Sequence, residues 1–256
     1  MPNNQLIPSV LRSISVAGAA ILFIFSLPQS ASAQAISSKQ RTEIEKIIKE
    51  YLLANPEILQ EAYTELEKRR HLAAVQSNAK ALFESSHQVV LGNPKGDVTM
   101  VEFFDYNCGF CKRAVADMLE LLKTDPKLRI VLKEFPVLGE ASVEAARVAV
   151  AVRMQDSTGE KYLDFHRKMF DNRGANNKTQ ALAAAKAAGL DMSRLEKDLA
   201  SDEVKATIDE SYKLVDALGM SGTPTYVVGT EIVVGAVGLA ALKEKINTAR
   251  CGKIAC

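Results

Sequence analysis

The feature that most constrains the fold is the stretch from 101 to 114, where an apolar run leads directly into two cysteines. The run over 98–104 is dense enough in apolar residues to predict a buried strand. Residues 112–122 continue with apolar positions at helical spacing. The sequence therefore predicts that Cys108 and Cys111 lie at a strand-to-helix junction.

That position has a chemical consequence, because the first turn of a helix carries unpaired N–H groups and the positive end of the helix dipole. The pKa of a free cysteine, about 8.5, can fall to roughly 3.5–7.5 at such a site. We therefore expect Cys108 to be an exposed, attacking thiolate and Cys111, one turn further in, to be the resolving thiol. The spacer of Gly109 and Phe110 lets the two sulfurs form a disulfide without unwinding the helix.

A cysteine pair of this spacing also occurs as half of a zinc site. No second pair has a matching spacing, and the three histidines form no ligand cluster in the sequence. Redox chemistry is favoured over metal binding and over a purely structural disulfide, and no metal or cofactor is expected. The C-terminal Cys251 and Cys256 predict a structural bridge; a second redox relay, metal binding and intermolecular bridging are the alternatives.

The composition is that of an ordinary globular protein. The 256 residues are 47% hydrophobic and 25% charged, which allows one large domain and an appendage. The net charge is +1 with both signs interspersed, so nothing indicates nucleic acid or an anionic membrane surface as a partner.

The first 33 residues have the form of a signal peptide. Arg12 precedes an apolar stretch over 14–27, and the small-residue pattern Ala31-Ser32-Ala33 follows. We expect cleavage after Ala33, with Ala35 as the next choice, and export to the periplasm, where disulfides persist. An uncleaved anchor is the weaker alternative, because the stretch of about 14 residues is shorter than the roughly 20 that cross a bilayer.

Residues 34–86 predict an N-terminal helical extension. Ser37 and Gln40 fit a capping box, an apolar stripe follows, and Asn55-Pro56 separates two helices. An amphipathic helix must bury its stripe. We expect self-association into a homo-oligomer through residues 37–84, with packing against the chain's own domain as the alternative.

Residues 87–256 predict an α/β domain. Strands over 98–104 and 128–135, joined by the cysteine helix, form a parallel pair. A helical subdomain of about 139–218 follows, and then a hairpin within 225–234 and a last helix. This order is that of a thioredoxin-like sheet with an inserted helical domain.

Two motifs carry a family resemblance. Glu102-Phe103-Phe104 before Cys108-Gly109-Phe110-Cys111, together with Gly222-Thr223-Pro224-Thr225 before a hairpin, resembles the DsbA family of exported thiol-disulfide oxidoreductases. The resemblance covers about 89–249. The segment before it is similar to the extension of the ScsC-like branch, whose members can oligomerise and act as disulfide isomerases.

The resemblance implies roles for residues around the cysteines. Cys108 would be the nucleophile, and Thr223-Pro224 would form a cis-proline loop that leaves backbone groups free for a substrate strand; a plain turn proline is the alternative. Glu102 would be a buried acid that helps move the proton of Cys111. The resemblance assigns Glu102 no partner; from its place on the next strand, we expect Lys133 to be the charged partner of Glu102.

One departure concerns the residues between the cysteines. Strongly oxidising members have Pro-His there, whereas this chain has Gly109-Phe110, which we expect to contact substrate. Phenylalanine cannot donate a hydrogen bond to the thiolate, so the disulfide should be less oxidising. This shifts the expectation towards isomerase or reductase work.

The sequence thus predicts an enzyme that forms or rearranges disulfides in exported proteins. Its partners would be unfolded or misoxidised proteins and a membrane or periplasmic redox protein. An oligomeric disulfide isomerase is the alternative within this class. A periplasmic protein that holds Cu(I) at the cysteine pair, or a scaffold with a vestigial redox domain, is the alternative from another class.

Overall fold

The computed structural model describes residues 36–256, so the expected signal peptide lies outside the described residues. These residues form five strands and ten helices. The strands are β1 (Val89–Gly92), β2 (Val98–Phe104), β3 (Leu128–Glu134), β4 (Thr225–Val228) and β5 (Glu231–Val234). The helices are α1 (Ser38–Ala54), α2 (Glu57–Ser77), α3 (Ala79–Phe83), α4 (Gly109–Thr124), α5 (Glu140–Arg153), α6 (Glu160–Asp171), α7 (Lys178–Ala187), α8 (Met192–Leu199), α9 (Asp202–Ala217) and α10 (Leu239–Cys251).

The strands form one sheet in the order β1-β3-β2-β4-β5. The central β2 and β3 are parallel and are joined by the crossover through α4 that parallel strands need, and the other pairs are antiparallel. The β4–β5 hairpin lies beside β2. The expected mixed α/β fold with a helical insertion between β3 and β4 is confirmed.

Both faces of the central strand β2 are covered, which explains its nearly continuous apolar sequence. Met100 and Phe104 belong to a core on the side of α4, α6 and α10. Val101 and Phe103 point to the opposite face, into a second core to which α9 contributes Leu214. Because side chains alternate along a strand, Glu102 lies on the α4 side.

The second core also includes residues of the N-terminal helices. Val75 at the end of α2 and Leu82 in α3 are buried together with Val101 and Phe103. The chain divides into compact units between Asn55 and Pro56, upstream of the expected boundary at residue 86. The reason is that the last part of the expected extension packs on the sheet.

The described part of the first unit is essentially the helix α1. The capping box is present: the Ser37 N–H donates to Gln40 Oε1 at 3.0 Å, and the Gln40 N–H donates to Ser37 Oγ at 3.3 Å. No residue of α1 is buried. Its apolar stripe is exposed at Ile44, Ile47, Ile48 and Tyr51.

Within residues 36–256, no helix combines the length and the apolar character needed to span a membrane.

Candidate active site

The turn between β2 and α4 is held by the buried carboxylate of Asp105. Its Oδ1 accepts from the Asn107 N–H at 2.7 Å and from Ser142 Oγ at 2.8 Å, and its Oδ2 accepts from the N–H groups of Val137 and Leu138 at 2.8 and 2.9 Å. These bonds tie the loop before the cysteines to the start of the helical insertion. Asp105 was not predicted from the sequence, although an acid directly after a buried strand is a signal that could have revealed it.

Cys108 is the N-cap of α4, and both cysteines are free thiols. The Cys111 N–H donates to Cys108 Sγ at 3.5 Å, so a helix N–H group contacts this sulfur. The Cys108 thiol donates to the carbonyl oxygen of Thr223 at 3.2 Å. The sulfur therefore lies between the first turn of the helix and the loop before β4.

The expectation that Cys108 is exposed is wrong as stated. Only 7% of its surface is accessible, compared with 1% for Cys111. The cause is the Thr223 loop, which lies against the sulfur. Cys108 instead lines a cleft of about 500 Å³, together with residues such as Asn107 and Leu138. A partner would reach the sulfur through this cleft.

The Thr223-Pro224 peptide bond is cis, as the resemblance implies. The backbone groups of this loop are less free than expected. The Thr223 carbonyl accepts from the Cys108 thiol, and the Pro224 carbonyl accepts from the Gly235 N–H at 2.8 Å. The chain folds this way because β4 and β5 form a hairpin that brings Gly235 back beside the proline.

Glu102 and Cys111 both lie on the α4 side of β2, and both are buried. Burial, reinforced by the Asp117 carboxylate, raises the pKa of Glu102 to about 8. Burial also raises the pKa of Cys111, and the charge of Glu102 adds to this effect. At neutral pH both groups therefore hold their protons, and loss of the proton by one makes its loss by the other harder.

The expectation that Lys133 pairs with Glu102 is wrong. Glu102 lies opposite Leu132 in the β2–β3 register, whereas Lys133 lies opposite Phe103 and points to the other face. The Lys133 ammonium donates to Glu210 Oε1 at 2.8 Å and to the Ala81 carbonyl at 2.7 Å. It joins the sheet to α3 and α9.

The two residues between the cysteines are accessible. Phe110 is 58% exposed, and the Arg113 guanidinium lies 4.3 Å above its ring centre. Gly109 has open space where a Cβ would project. An apolar ring and a cation are thus displayed next to Cys108.

The C-terminal cysteines are joined. Cys251, the last residue of α10, forms a disulfide with Cys256, and Gly252 between them adopts a left-handed conformation with φ of 74°. Among the described residues 36–256, no group of three or more His, Cys, Asp or Glu side chains is arranged to hold a metal ion.

A buried polar network behind the cleft was missed by the sequence analysis. The Tyr162 hydroxyl donates to Glu134 Oε1 at 2.5 Å, and the Tyr106 hydroxyl lies 3.2 Å from both Tyr162 Oη and His166 Nδ1. Burial raises the pKa of Glu134 well above its ordinary value and lowers the pKa of His166 to about 3, so the imidazole is neutral at pH 7. Because the residues of this network are far apart in the sequence, no local motif predicts it.

Comparison with known families gives two matches. The DSBA-like thioredoxin domain matches residues 99–247, which include both cysteines and the Thr223-Pro224 loop. The N-terminal domain of the copper resistance protein ScsC matches residues 40–71.

Solved structures give the same result. A thioredoxin-like oxidoreductase from Silicibacter pomeroyi is 43% identical, with a TM-score of 0.63 over 67% of this chain and 96% of that chain. A linker-deletion mutant of ScsC from Proteus mirabilis is 26% identical, with a TM-score of 0.70 over 85% and 98%. The thiol-disulfide exchange protein alpha-DsbA2 from Wolbachia pipientis is 30% identical, with a TM-score of 0.65 over 70% and 96%.

The chain also matches part of a longer protein. The Na(+)/H(+) antiporter NhaA 1 of Salinispora arenicola is 27% identical over 163 residues, which are 64% of this chain and 25% of the antiporter. The chain thus spans about a quarter of that relative.

The family match over residues 99–247 and the oxidoreductase neighbours agree with the site geometry. The chain belongs to the DsbA-like thioredoxin family of thiol-disulfide oxidoreductases.

Proposed function

We propose that this protein exchanges disulfides with exported proteins through Cys108 and Cys111, with Cys108 as the attacking sulfur. The observation that supports this most is the setting of the Cys108 sulfur. It contacts a helix N–H group and the Thr223 carbonyl, and it lines an open cleft. Burial raises the pKa of Cys111, which suits a thiol that acts second.

In the oxidising direction, a substrate thiolate attacks Cys108 Sγ of the Cys108–Cys111 disulfide. A substrate–Cys108 bond forms, and Cys111 leaves as a thiolate that takes a proton from Glu102 or water. A second substrate thiolate then attacks the substrate sulfur of the mixed disulfide. The substrate gains a disulfide, and the enzyme keeps the two electrons as two thiols.

In the isomerising direction, the reduced enzyme begins the exchange. The Cys108 thiolate attacks a wrong substrate disulfide and releases one substrate thiolate. That thiolate attacks another disulfide of the substrate, and a substrate thiolate finally displaces Cys108. No net electrons are transferred, so Cys108 leaves the cycle reduced. When Cys111 instead attacks the mixed disulfide, the substrate leaves with both of its thiols and the Cys108–Cys111 disulfide forms, so a membrane or periplasmic redox partner would have to reduce the enzyme again.

We infer that isomerase or reductase work is favoured over strong oxidation. Phe110 offers no hydrogen bond to a thiolate, unlike the histidine of the strongly oxidising members. The exposed stripe of α1 and the ScsC-type N-terminal match support a homo-oligomer assembled through residues 37–84. Several active sites on one assembly would suit a substrate with several wrong disulfides.

Substrate contacts are assigned to the groups around Cys108. The exposed ring of Phe110, the open space at Gly109 and the Thr223-Pro224 loop would hold the substrate backbone beside the sulfur. Once Cys108 is oxidised it no longer has a thiol proton, so the Thr223 carbonyl is released to accept from a substrate N–H.

Metal-free protein lacking residues 1–33 tests the proposal. It should reduce insulin with glutathione as the electron source and reactivate scrambled ribonuclease. Cys108→Ser should abolish both reactions, whereas the double variant Cys251→Ser, Cys256→Ser, which removes only the C-terminal bridge, should retain them. If the metal-free protein has no turnover and binds Cu(I) through Cys108 and Cys111, the metal-handling alternative replaces this proposal.

Export is tested separately. We propose that residues 1–33 are removed, which predicts that the protein in the periplasmic fraction begins at Gln34. Amino-terminal sequencing would check this, and a protein retaining Met1 in the membrane fraction would contradict it.

A further inference from the structure

The cleft beside Cys108 has a distinct charge. It lies between the start of α4, the end of α6 and the loop over 172–176. Its charged lining side chains are Lys112 and Arg173, and both are cations. No carboxylate lines it, and Asp171, the sequence neighbour of the loop, is exposed outside the lining.

The two cations are available to a ligand. Among residues 36–256, neither Lys112 nor Arg173 forms an ion pair with a carboxylate. The Lys112 ammonium donates to the carbonyl of Asn172 at 2.7 Å, which ties the start of α4 to the loop over 172–176. An ammonium has three donors, so two remain for an incoming oxygen. Arg173 is exposed and can offer a two-pronged contact to a carboxylate.

We propose that this cleft selects substrates whose reacting cysteine is flanked by acidic residues. The inference rests on the proposed function, because the acidic side chain docks while the neighbouring sulfur approaches Cys108. The cations attract the carboxylate before any bond forms, and the effect falls on the rate of productive encounter. Leu138 and Phe170, which also line the cleft, would pack on the aliphatic part of the flanking residues.

The test uses the oxidised protein from Gln34 onwards and two peptides with one cysteine each. One peptide has glutamates on both sides of the cysteine and the other has lysines. Each peptide in excess reduces the Cys108–Cys111 disulfide, and the second-order rate constant is read by acid quench and mass spectrometry, since the chain has no tryptophan. The flanking charges also change the intrinsic reactivity of the peptide's own cysteine. To remove this effect, each rate constant is divided by the rate constant of the same peptide with a small uncharged disulfide.

The expected ratio of the acidic to the basic peptide is about tenfold at about 0.02 M salt, shrinking towards one near 0.5 M. Lys112→Gln and Arg173→Gln should each lower the ratio by about threefold. Lys112→Arg should preserve it. Lys123→Gln, on the same helix but outside the cleft, is the matched control and should leave the ratio unchanged.

The outcomes separate the two proposals. Equal normalised rates for the two peptides, or a preference that survives both glutamine substitutions, would overturn the charge selection while leaving disulfide exchange intact. Failure of both peptides to reduce the disulfide would overturn the proposed function and this inference with it.

Discussion

At the scale of single residues, the site separates two sulfurs that are three positions apart. Cys108 Sγ contacts a helix N–H group and a carbonyl, and Cys108 lines an open cleft. Cys111 is almost fully buried next to Glu102. Burial alone disfavours the charged form of Cys111. The order of attack that we propose, Cys108 before Cys111, therefore rests on where the start of α4 places each sulfur.

Glu102→Gln should change the pH dependence of stability in the reduced protein. The folded pKa of Glu102 is about 8, above its ordinary value of 4.5, so between these values the folded state holds a proton that the unfolded state has released. Stability then falls as pH rises, by at most about 1.4 kcal/mol per pH unit. The variant lacks this penalty and should unfold at higher denaturant than wild type at pH 8.

Urea unfolding at pH 5, 6.5 and 8 measures this difference, which should grow with pH to on the order of 2–4 kcal/mol. Glu244→Gln, at an exposed position of α10, is the control and should show no such trend. If the free energy of unfolding of wild type changed with pH as little as that of Glu102→Gln, the burial of an ionisable acid beside Cys111 would be contradicted.

Phe110→His should make the disulfide more oxidising. An imidazole beside Cys108 donates to the thiolate and stabilises the reduced form, which phenylalanine cannot do. We expect the reduction potential to rise by roughly 30 mV or more, equivalent to about 1.4 kcal/mol. Equilibration with glutathione buffers, followed by alkylation and mass spectrometry, gives the value. Phe110→Leu, which adds no donor, should remain near wild type; an unchanged potential for Phe110→His would refute the argument.

At the scale of elements, periodicity predicted most of what positions the site. The apolar run before Cys108, the helical spacing after it and the hairpin after Pro224 correspond to β2, α4 and the β4–β5 pair. These signals are local, so one sequence contains them. The fold class followed because parallel strands need a crossover connection, and a single helix between two strands is its usual form.

What the sequence could not give was register and long-range polar pairing. Lys133 was assigned to Glu102, but the register places it one residue away, and a shift of one residue moves a side chain to the other face. The partners of Tyr106 and Tyr162 come from distant segments, so only the folded chain reveals them. Val75 and Leu82 were assigned to the helical extension, because the apolar pattern of an amphipathic helix does not identify the surface against which it packs.

Lys133→Met should destabilise the joint between β3, α3 and α9. The ammonium is fully buried and donates to the Ala81 carbonyl and to Glu210 Oε1. Both oxygens would lose this donor, and Glu210 would keep only the hydrogen bond from Ser85 to Oε2. Because the Glu210 side chain is 21% exposed, we expect the free energy of unfolding to fall by about 2–3 kcal/mol, less than for a fully buried pair.

Denaturant unfolding of the single variants and of Lys133→Met, Glu210→Gln measures the coupling. The double variant should be less destabilised than the sum of the two single variants, because no unpaired carboxylate remains. Lys205→Met, which removes an exposed ion pair with Asp209, is the control and should change stability by less than about 1 kcal/mol. Additive single effects would argue against a direct pair.

At the scale of the whole molecule, residues 56–256 form one compact unit with a core on each face of the sheet. Among the elements of the described residues, α1 alone has no buried residue. Its capping box defines where it begins, but an amphipathic helix of this length gains most of its stability from packing. Ile44, Ile48 and Tyr51 recur at helical spacing, and each is more than 40% exposed. A second copy of the chain is the occupant that we propose for this stripe.

The triple variant Ile44→Ser, Ile48→Ser, Tyr51→Ser should therefore dissociate the assembly without touching the redox site. In the chain from Gln34 onwards, sedimentation velocity should show an oligomer for wild type and a monomer for the variant. Lys46→Gln on the polar side of α1 is the matched control and should sediment as wild type.

Ribonuclease reactivation should fall by about tenfold, the order expected when linked sites no longer act on one substrate, while insulin reduction per active site stays within about twofold. Removal of residues 34–86 is a poorer test, because it also takes Val75 and Leu82 from the core. If the wild-type protein sediments as a monomer, the proposed assembly is wrong. If a monomeric variant reactivates ribonuclease as well as wild type, isomerase activity does not depend on the assembly.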